Sequence, residues 1–156
     1  MVVFGLWVIN KAGGLVYQRN FADGLAQLSS NEYLVLAGTL HGIHAITSRL
    51  SPTGSSSGAQ VIEAETFKMT ILLTATGTTY LLIVTHVYST EQNAGTKFVL
   101  LTSLHDANAE ALLQKVYEAY ADMGMKNPFH TPEMPIRSDR FDLRIGVLLG
   151  TISAPT

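Results

Sequence analysis

The stretch VVFGLWVINKAGGLVYQR, from Val2 to Arg19, decides how the chain begins to fold. Val2–Asn10 is rich in Val, Ile, Phe and Trp, residues that fit a pleated surface, and it reads as a buried strand. Lys11–Gly14 follows with paired glycines, Gly13 and Gly14, which supply positive φ for a tight turn. Leu15–Arg19 then reads as the returning strand. The first element is therefore a β-hairpin.

Asn20–Gln27 is a short connection. Ser29 followed by Glu32 has the capping-box spacing, so a helix begins there. It runs to about Leu50, because Ser51-Pro52 cannot continue it. Thr53–Gly58 is a loop of small residues. Strands follow near Gln60–Glu65, Thr66–Ala75 and Thr79–Tyr88, then at Thr96–Ser103. Asp106 caps a second helix of about 18 residues that ends near Gly124. Asn127-Pro128 stops it, Pro132 and Pro135 make an extended connection, and Asp139–Gly150 holds a short final helix. Consecutive strands without crossover helices imply an antiparallel sheet, so the class is α+β in one domain spanning 1–156.

Only 22 of the 156 residues are charged, ten Lys or Arg against twelve Asp or Glu. That is 14%, against roughly 25% in an average soluble domain. The 47% apolar content excludes a disordered chain. A net charge of −2 argues against nucleic acid, which needs a basic field. Without cysteine there is no disulfide framework, Cys-based zinc site or thiol nucleophile. So few charges imply contact with a membrane or cover by partners.

The shortage is local. Residues 1–104 hold ten of the charges and residues 105–144 hold twelve. Tyr33–Ser48 and Met69–Thr90 carry none. The second stretch has the length of a membrane span, but Thr70, Thr74, Thr76, Thr78, Thr79 and Thr85 interrupt it and Gly77 breaks it. It reads better as two buried strands. No basic region precedes the apolar N-terminus, which argues against a signal peptide and makes a cytosolic protein the default.

The first helix is apolar on too many sides. Leu36, Leu40, Ile43 and Leu50 recur at helical spacing and are expected to face the sheet. Val35, Gly38, Gly42, Ala45 and Ile46 fall largely on other faces. A sheet buries one face of a helix, so the rest must meet a partner or be covered by this chain, for example by its C-terminal segment. Gly38 and Gly42, four apart, leave the backbone open to close approach. The second helix is ordinary: Leu112, Leu113, Val116, Tyr120 and Met123 form one stripe, with Glu110, Lys115, Glu118 and Asp122 toward solvent.

Signals of catalysis are weak. Gly54-Ser55-Ser56-Ser57-Gly58 has the letters of a nucleophile elbow, but the order here is helix, loop, strand, so a hydrolase using Ser56 is disfavoured. His41 and His44 are three apart with no third metal ligand nearby, and read as buried or interfacial. His105-Asp106 reads as a loop and helix cap. Asn127-Pro128-Phe129 matches a short peptide read by some endocytic adaptors, but reads better as a helix stop with an anchoring aromatic. No phosphate-binding loop, dinucleotide fingerprint or zincin motif is present. The expectation is no catalytic residue, no metal and no cofactor.

The segments VINKAGGLVYQ (8–18), SSNEYLVLAGTLHGIHAITSRLSP (29–52), SSGAQVIEAETFK (56–68), KVYEAYADMGMKNPF (115–129) and EMPIR (133–137) together resemble the synbindin-type subunit family of TRAPP, the transport protein particle. The resemblance covers most of the chain in the family's order, and KNPF and EMPIR are its most specific motifs. It implies a longin-like (profilin-like) fold, a five-stranded antiparallel sheet with packed helices. It further implies a non-catalytic subunit that pairs with a longin-like neighbour and a palmitoylated-type subunit. The core assembly would be a guanine nucleotide exchange factor for an early-secretory Rab GTPase. It would act in tethering between endoplasmic reticulum and Golgi, peripheral to the membrane at the endoplasmic reticulum and cis-Golgi. A longin-like domain working alone in membrane traffic is the alternative. Val35, Gly38, Gly42 and Ile46 are assigned to subunit contact; Lys126, Asn127, Phe129, Ile136 and Arg137 carry over as motif positions.

Three departures stand out. The domain inserted between second strand and first helix in animal members is replaced here by the short Asn20–Leu28. Residues 78–95 are extra relative to the family, which runs from a Thr-Gly turn straight into a strand resembling TKFVLL (96–101), and mark an insertion or an unspliced intron. The tail after Phe141-Asp142 is shorter and more apolar than the family's final helix.

Overall fold

The computed structural model describes residues 3–22, 27–54, 56–74, 96–102, 108–126, 128–129 and 134–149. The hairpin forms as β1, Val3–Ile9, and β2, Leu15–Asn20. Only Gly13 of the paired glycines has positive φ, at +88°. Asn10 does the rest of the turn: its Oδ1 accepts from the Ala12 amide at 3.0 Å and the Gly14 amide at 2.8 Å. An Asx side chain thus closes the turn without a second left-handed residue.

Helix α1, Ser30–Arg49, starts at the expected capping box: Ser29 accepts from the Glu32 amide while the Glu32 carboxylate accepts from the Ser29 amide at 2.7 Å. These bonds hold the Glu32 carboxyl below its ordinary pKa. Strands β3, Val61–Glu63, β4, Lys68–Leu73, and β5, Lys97–Thr102, follow. The strand expected at Thr79–Tyr88 and the insertion expected at 78–95 lie outside the described residues. Helix α2, Ala109–Tyr120, is capped at Asn108 with no side-chain bond rather than at Asp106, which is also outside them. A π-helical turn, Ala121–Met125, extends it to about the expected end. Helix α3, Asp139–Leu148, starts where Ser138 accepts from the Phe141 amide at 3.4 Å.

The five strands form one antiparallel sheet in the order β2-β1-β5-β4-β3. Its middle is the β1–β5 pair, with Leu6 opposite Leu100, Trp7 opposite Val99 and Val8 opposite Phe98. Successive side chains point to opposite faces, so this one pairing feeds two cores. Leu6, Val8, Phe98 and Leu100 pack with Leu113, Val116 and Tyr120 of α2 and with Phe141 and Ile145 of α3. Trp7, Ile9, Val99, Leu101 and Ile71 pack with Tyr33, Ala37 and Leu40 of α1. The architecture is therefore three-layered and longin-like: α1 on one face, α2 and α3 on the other.

Among the described residues, the C-terminal segment does not cover α1, because α3 packs with α2 across the sheet from it. Its approach is fixed by the outer edge of β2. The Ile136 amide donates to the Val16 carbonyl at 2.8 Å. Tyr17 donates its hydroxyl to Asp142 Oδ1 at 2.6 Å, and the Arg19 guanidinium donates to the Asp142 carbonyl at 2.8 Å. Burial, then the Asp142 contact, push the Tyr17 phenol well above its ordinary pKa.

Gly58 enters β3 with φ +84°, and a Cβ there would sit 2.7 Å from the His44 carbonyl oxygen. Gly58→Ala is expected to lower unfolding free energy by on the order of 1–3 kcal/mol, from left-handed strain plus the clash. Gly54→Ala, also at positive φ but in open space, is expected to cost less. Parallel urea titrations check the ranking; equal losses would show that the clash relaxes freely.

Candidate subunit-docking surface

The faces of α1 sort differently from the expected set. Tyr33, Ala37, Leu40, His44 and Ser48 are the buried positions, while Leu36 is half-buried. Ile43 and Leu50, expected to face the sheet, are exposed. The reason is angular: at 100° per residue the stripe 33-37-40-44-48 is continuous, and Ile43 and Leu50 fall beside or behind it. The sheet selects His44 and Ser48 by position, although both are polar.

The opposite side of α1 carries apolar groups in the open. Val35 is 63% exposed and Ile46 61%, and Leu34 and Leu50 extend the patch. A Cβ at Gly38 or Gly42 would meet nothing within 4 Å. Thr39 donates its hydroxyl back to the Val35 carbonyl at 2.9 Å. This hydroxyl is satisfied within the helix, which leaves the face less polar than its letters suggest. The charges of α1 stand only at its ends, at Glu32 and Arg49. Among the described residues, Val35, Gly38, Gly42 and Ile46 thus share one open, uncharged ridge.

The other assigned positions do not join it. Ile136 is half-buried against the α2 and α3 core, so its first role is to seat the C-terminal segment on β2. Lys126 is exposed and reaches back to Asp122 at 3.0 Å, an i,i+4 pair. Phe129 is 94% exposed, unusual for a phenyl ring, and Arg137 is exposed as well. Asn127 lies outside the described residues. These positions split by contact: Ile136 belongs to the fold, while Phe129 and Arg137 face outward.

Nothing assembles a catalytic site among the described residues. Ser56 Oγ accepts from the Gly58 amide at 3.2 Å and Ser57 Oγ from the Gln60 side chain at 3.3 Å; neither bonds a histidine. No three ligating side chains converge for a metal among the described residues, and no described helix is long and apolar enough to cross a membrane. A cavity of about 150 Å³ opens at the sheet edge between His44, Gln60, Thr70 and Leu113.

One polar cluster escaped the reading of the sequence. Lys97 is buried, 2% exposed, and its Nζ lies 3.2 Å from His41 Nδ1. Burial pushes the Lys97 ammonium down from its ordinary pKa. Burial first, then the Lys97 charge, push His41 and His44 down as well. The available signal was the strand TKFVLL itself, where period-2 alternation puts Lys97 on the same face as Val99 and Leu101, under α1.

Comparison with known proteins agrees with this architecture. The Sybindin-like family profile matches residues 3–94 and 85–152. A trafficking protein particle complex subunit 4 of Dictyostelium discoideum is 40% identical over 151 residues, covering 96% of this chain and 98% of its own length. The human and mouse proteins of the same name are 40% and 39% identical over 133 residues, covering 85% of this chain. This chain spans about half the length of those two, 52% in each case. On the profile match, the identity and the three-layered sheet, the chain belongs to the Sybindin-like family.

Proposed function

We propose that this chain is a non-catalytic scaffold subunit of a TRAPP-type particle in membrane traffic. The observation that carries the reading is the outer ridge of α1, a helix face with Val35 and Ile46 in the open and no charge between Tyr33 and Ser48. A monomer rarely leaves such a contiguous face to water. The relatives' name, a subunit of a trafficking protein particle complex, supplies the kind of assembly. In this reading a longin-like neighbour and a palmitoylated-type subunit are the partners, and Val35, Gly38, Gly42 and Ile46 are contact positions. Phe129 and Arg137 offer a second contact.

The assembled core is proposed to act as an exchange factor for an early-secretory Rab GTPase, at the cytoplasmic side of the endoplasmic reticulum and cis-Golgi. Nucleotide release of this kind needs no covalent chemistry. The complex binds best to a nucleotide-free arrangement of the GTPase, and by linkage nucleotide affinity falls by the same factor. A subunit contributes by holding part of a rigid composite surface, which suits a chain with no assembled catalytic group among its described residues.

Gly38→Leu separates pairing from folding. The space at Gly38 is open and leucine is the better helix former, so the isolated chain is expected to gain up to about 1 kcal/mol. Subunit pairing, followed by calorimetry or co-purification, is expected to weaken at least about tenfold, or ~1.4 kcal/mol. Intact pairing would refute the α1 assignment. Phe129→Ala is expected to leave the urea midpoint within about 0.5 kcal/mol of wild type, as for an exposed side chain, and to weaken assembly. The exchange role is tested by Rab nucleotide release with reconstituted core, with and without this chain. Release unchanged by its omission would remove that role.

A further inference from the structure

We propose that the His41–Lys97 contact is a proton-sensitive latch that holds α1 on the sheet, so that acidification loosens the helix and the outer ridge it presents. An ammonium has donors only, so Lys97 Nζ at 3.2 Å needs a lone pair on His41 Nδ1, which the neutral ring has and the protonated ring lacks. The contact joins β5 to α1 directly. A third element presses on the same ring: a Cβ built at Gly13 of the hairpin turn would lie 3.1 Å from His41 Cγ. The ring is therefore held between the central strand, its own helix and the hairpin tip.

Among the described residues, the charge that acts on its titration is the Lys97 ammonium. Lys97 faces it from β5, His44 stands one turn along α1, and Lys11 lies in the hairpin turn. Glu110 of α2 reaches the cavity that His44 borders. The ion pairs among the described residues involve Arg19 with Asp142 and Lys126 with Asp122, and none joins a carboxylate to Lys97. Protonating His41 would remove the acceptor and set two cations about one hydrogen-bond length apart, one of them the buried Lys97.

The sign follows from linkage. His41 in the folded chain titrates below its ordinary 6.5, so just below that pH the unfolded chain holds a proton that the folded chain refuses. Stability is therefore lost as pH falls from about 6.5 toward the folded value. Lys97 acts in the same direction at alkaline pH: stability rises as pH climbs toward 10.5, where the unfolded lysine gives up its proton. The latch depends only on packing within this chain and stands apart from the proposed complex.

The test is a histidine Cε1-proton NMR titration of the full chain, with His41→Gln used to assign the resonance. The His41 midpoint is expected below 6.5 in wild type and shifted upward in Lys97→Met, which keeps the apolar stem without the cation. The urea midpoint of unfolding is expected to fall between about pH 7.5 and 5.5 in wild type. That fall should be shallower in Lys97→Met. A wild-type midpoint at or above 6.5, or one that Lys97→Met does not move, overturns the latch. Should Lys97→Met fail to fold, His41→Gln carries the test: its acid-side loss must shrink, and an undiminished loss overturns the proposal equally.

Discussion

The pairing of β1 with β5 is the constraint on which the rest depends. Every residue of β5 is buried, and the strand lies between β1 and β4 with helices above and below. A strand buried on both faces cannot slip by one residue without moving every side chain into the opposite core. The register that sets Leu6 against Leu100 and Trp7 against Val99 therefore fixes the placement of all three helices at once. The ridge on α1 and the seat of the C-terminal segment inherit their positions from it.

Much of this was legible in the sequence because local chemistry and tertiary packing agree. The hairpin, the capping box at Ser29 and Glu32, the β4 and β5 strands and the α2 stripe all combine a local signal with a matching core position. Agreement between levels is what makes a sequence readable. The failures came where packing overrode letters. Ile43 and Leu50 are apolar but stand off the angular centre of α1, while His44 and Ser48 are polar and on it. Two glycines suggested two left-handed residues, but the Asn10 side chain made one sufficient.

The uncharged outer ridge of α1 was legible as a lack of charge, since a helix without a solvated stripe is visible in letters alone. The role of Ile136 was not, because its contact is a backbone bond to Val16 from far along the chain. Lys97 was missed for a similar reason. A lysine beside a threonine at the start of a strand reads as an exposed end, and only the β1–β5 register places it beneath α1.

The central position of β5 also bears on how the protein is made. The sheet order places a strand that begins at Lys97 between strands that end at Ile9 and begin at Lys68. As the chain leaves the ribosome, the hairpin and the β3–β4 pair emerge as two separate half-sheets, each with its inner edge open. Neither can close on the other until β5 arrives, and β2 keeps its outer edge bare until Ile136 follows. Contacts this distant in sequence slow folding, and open edges invite pairing with other chains. A product truncated before Lys97 therefore keeps the hydrophobic strands and loses the one that joins them, which makes it a source of aggregates rather than a smaller domain.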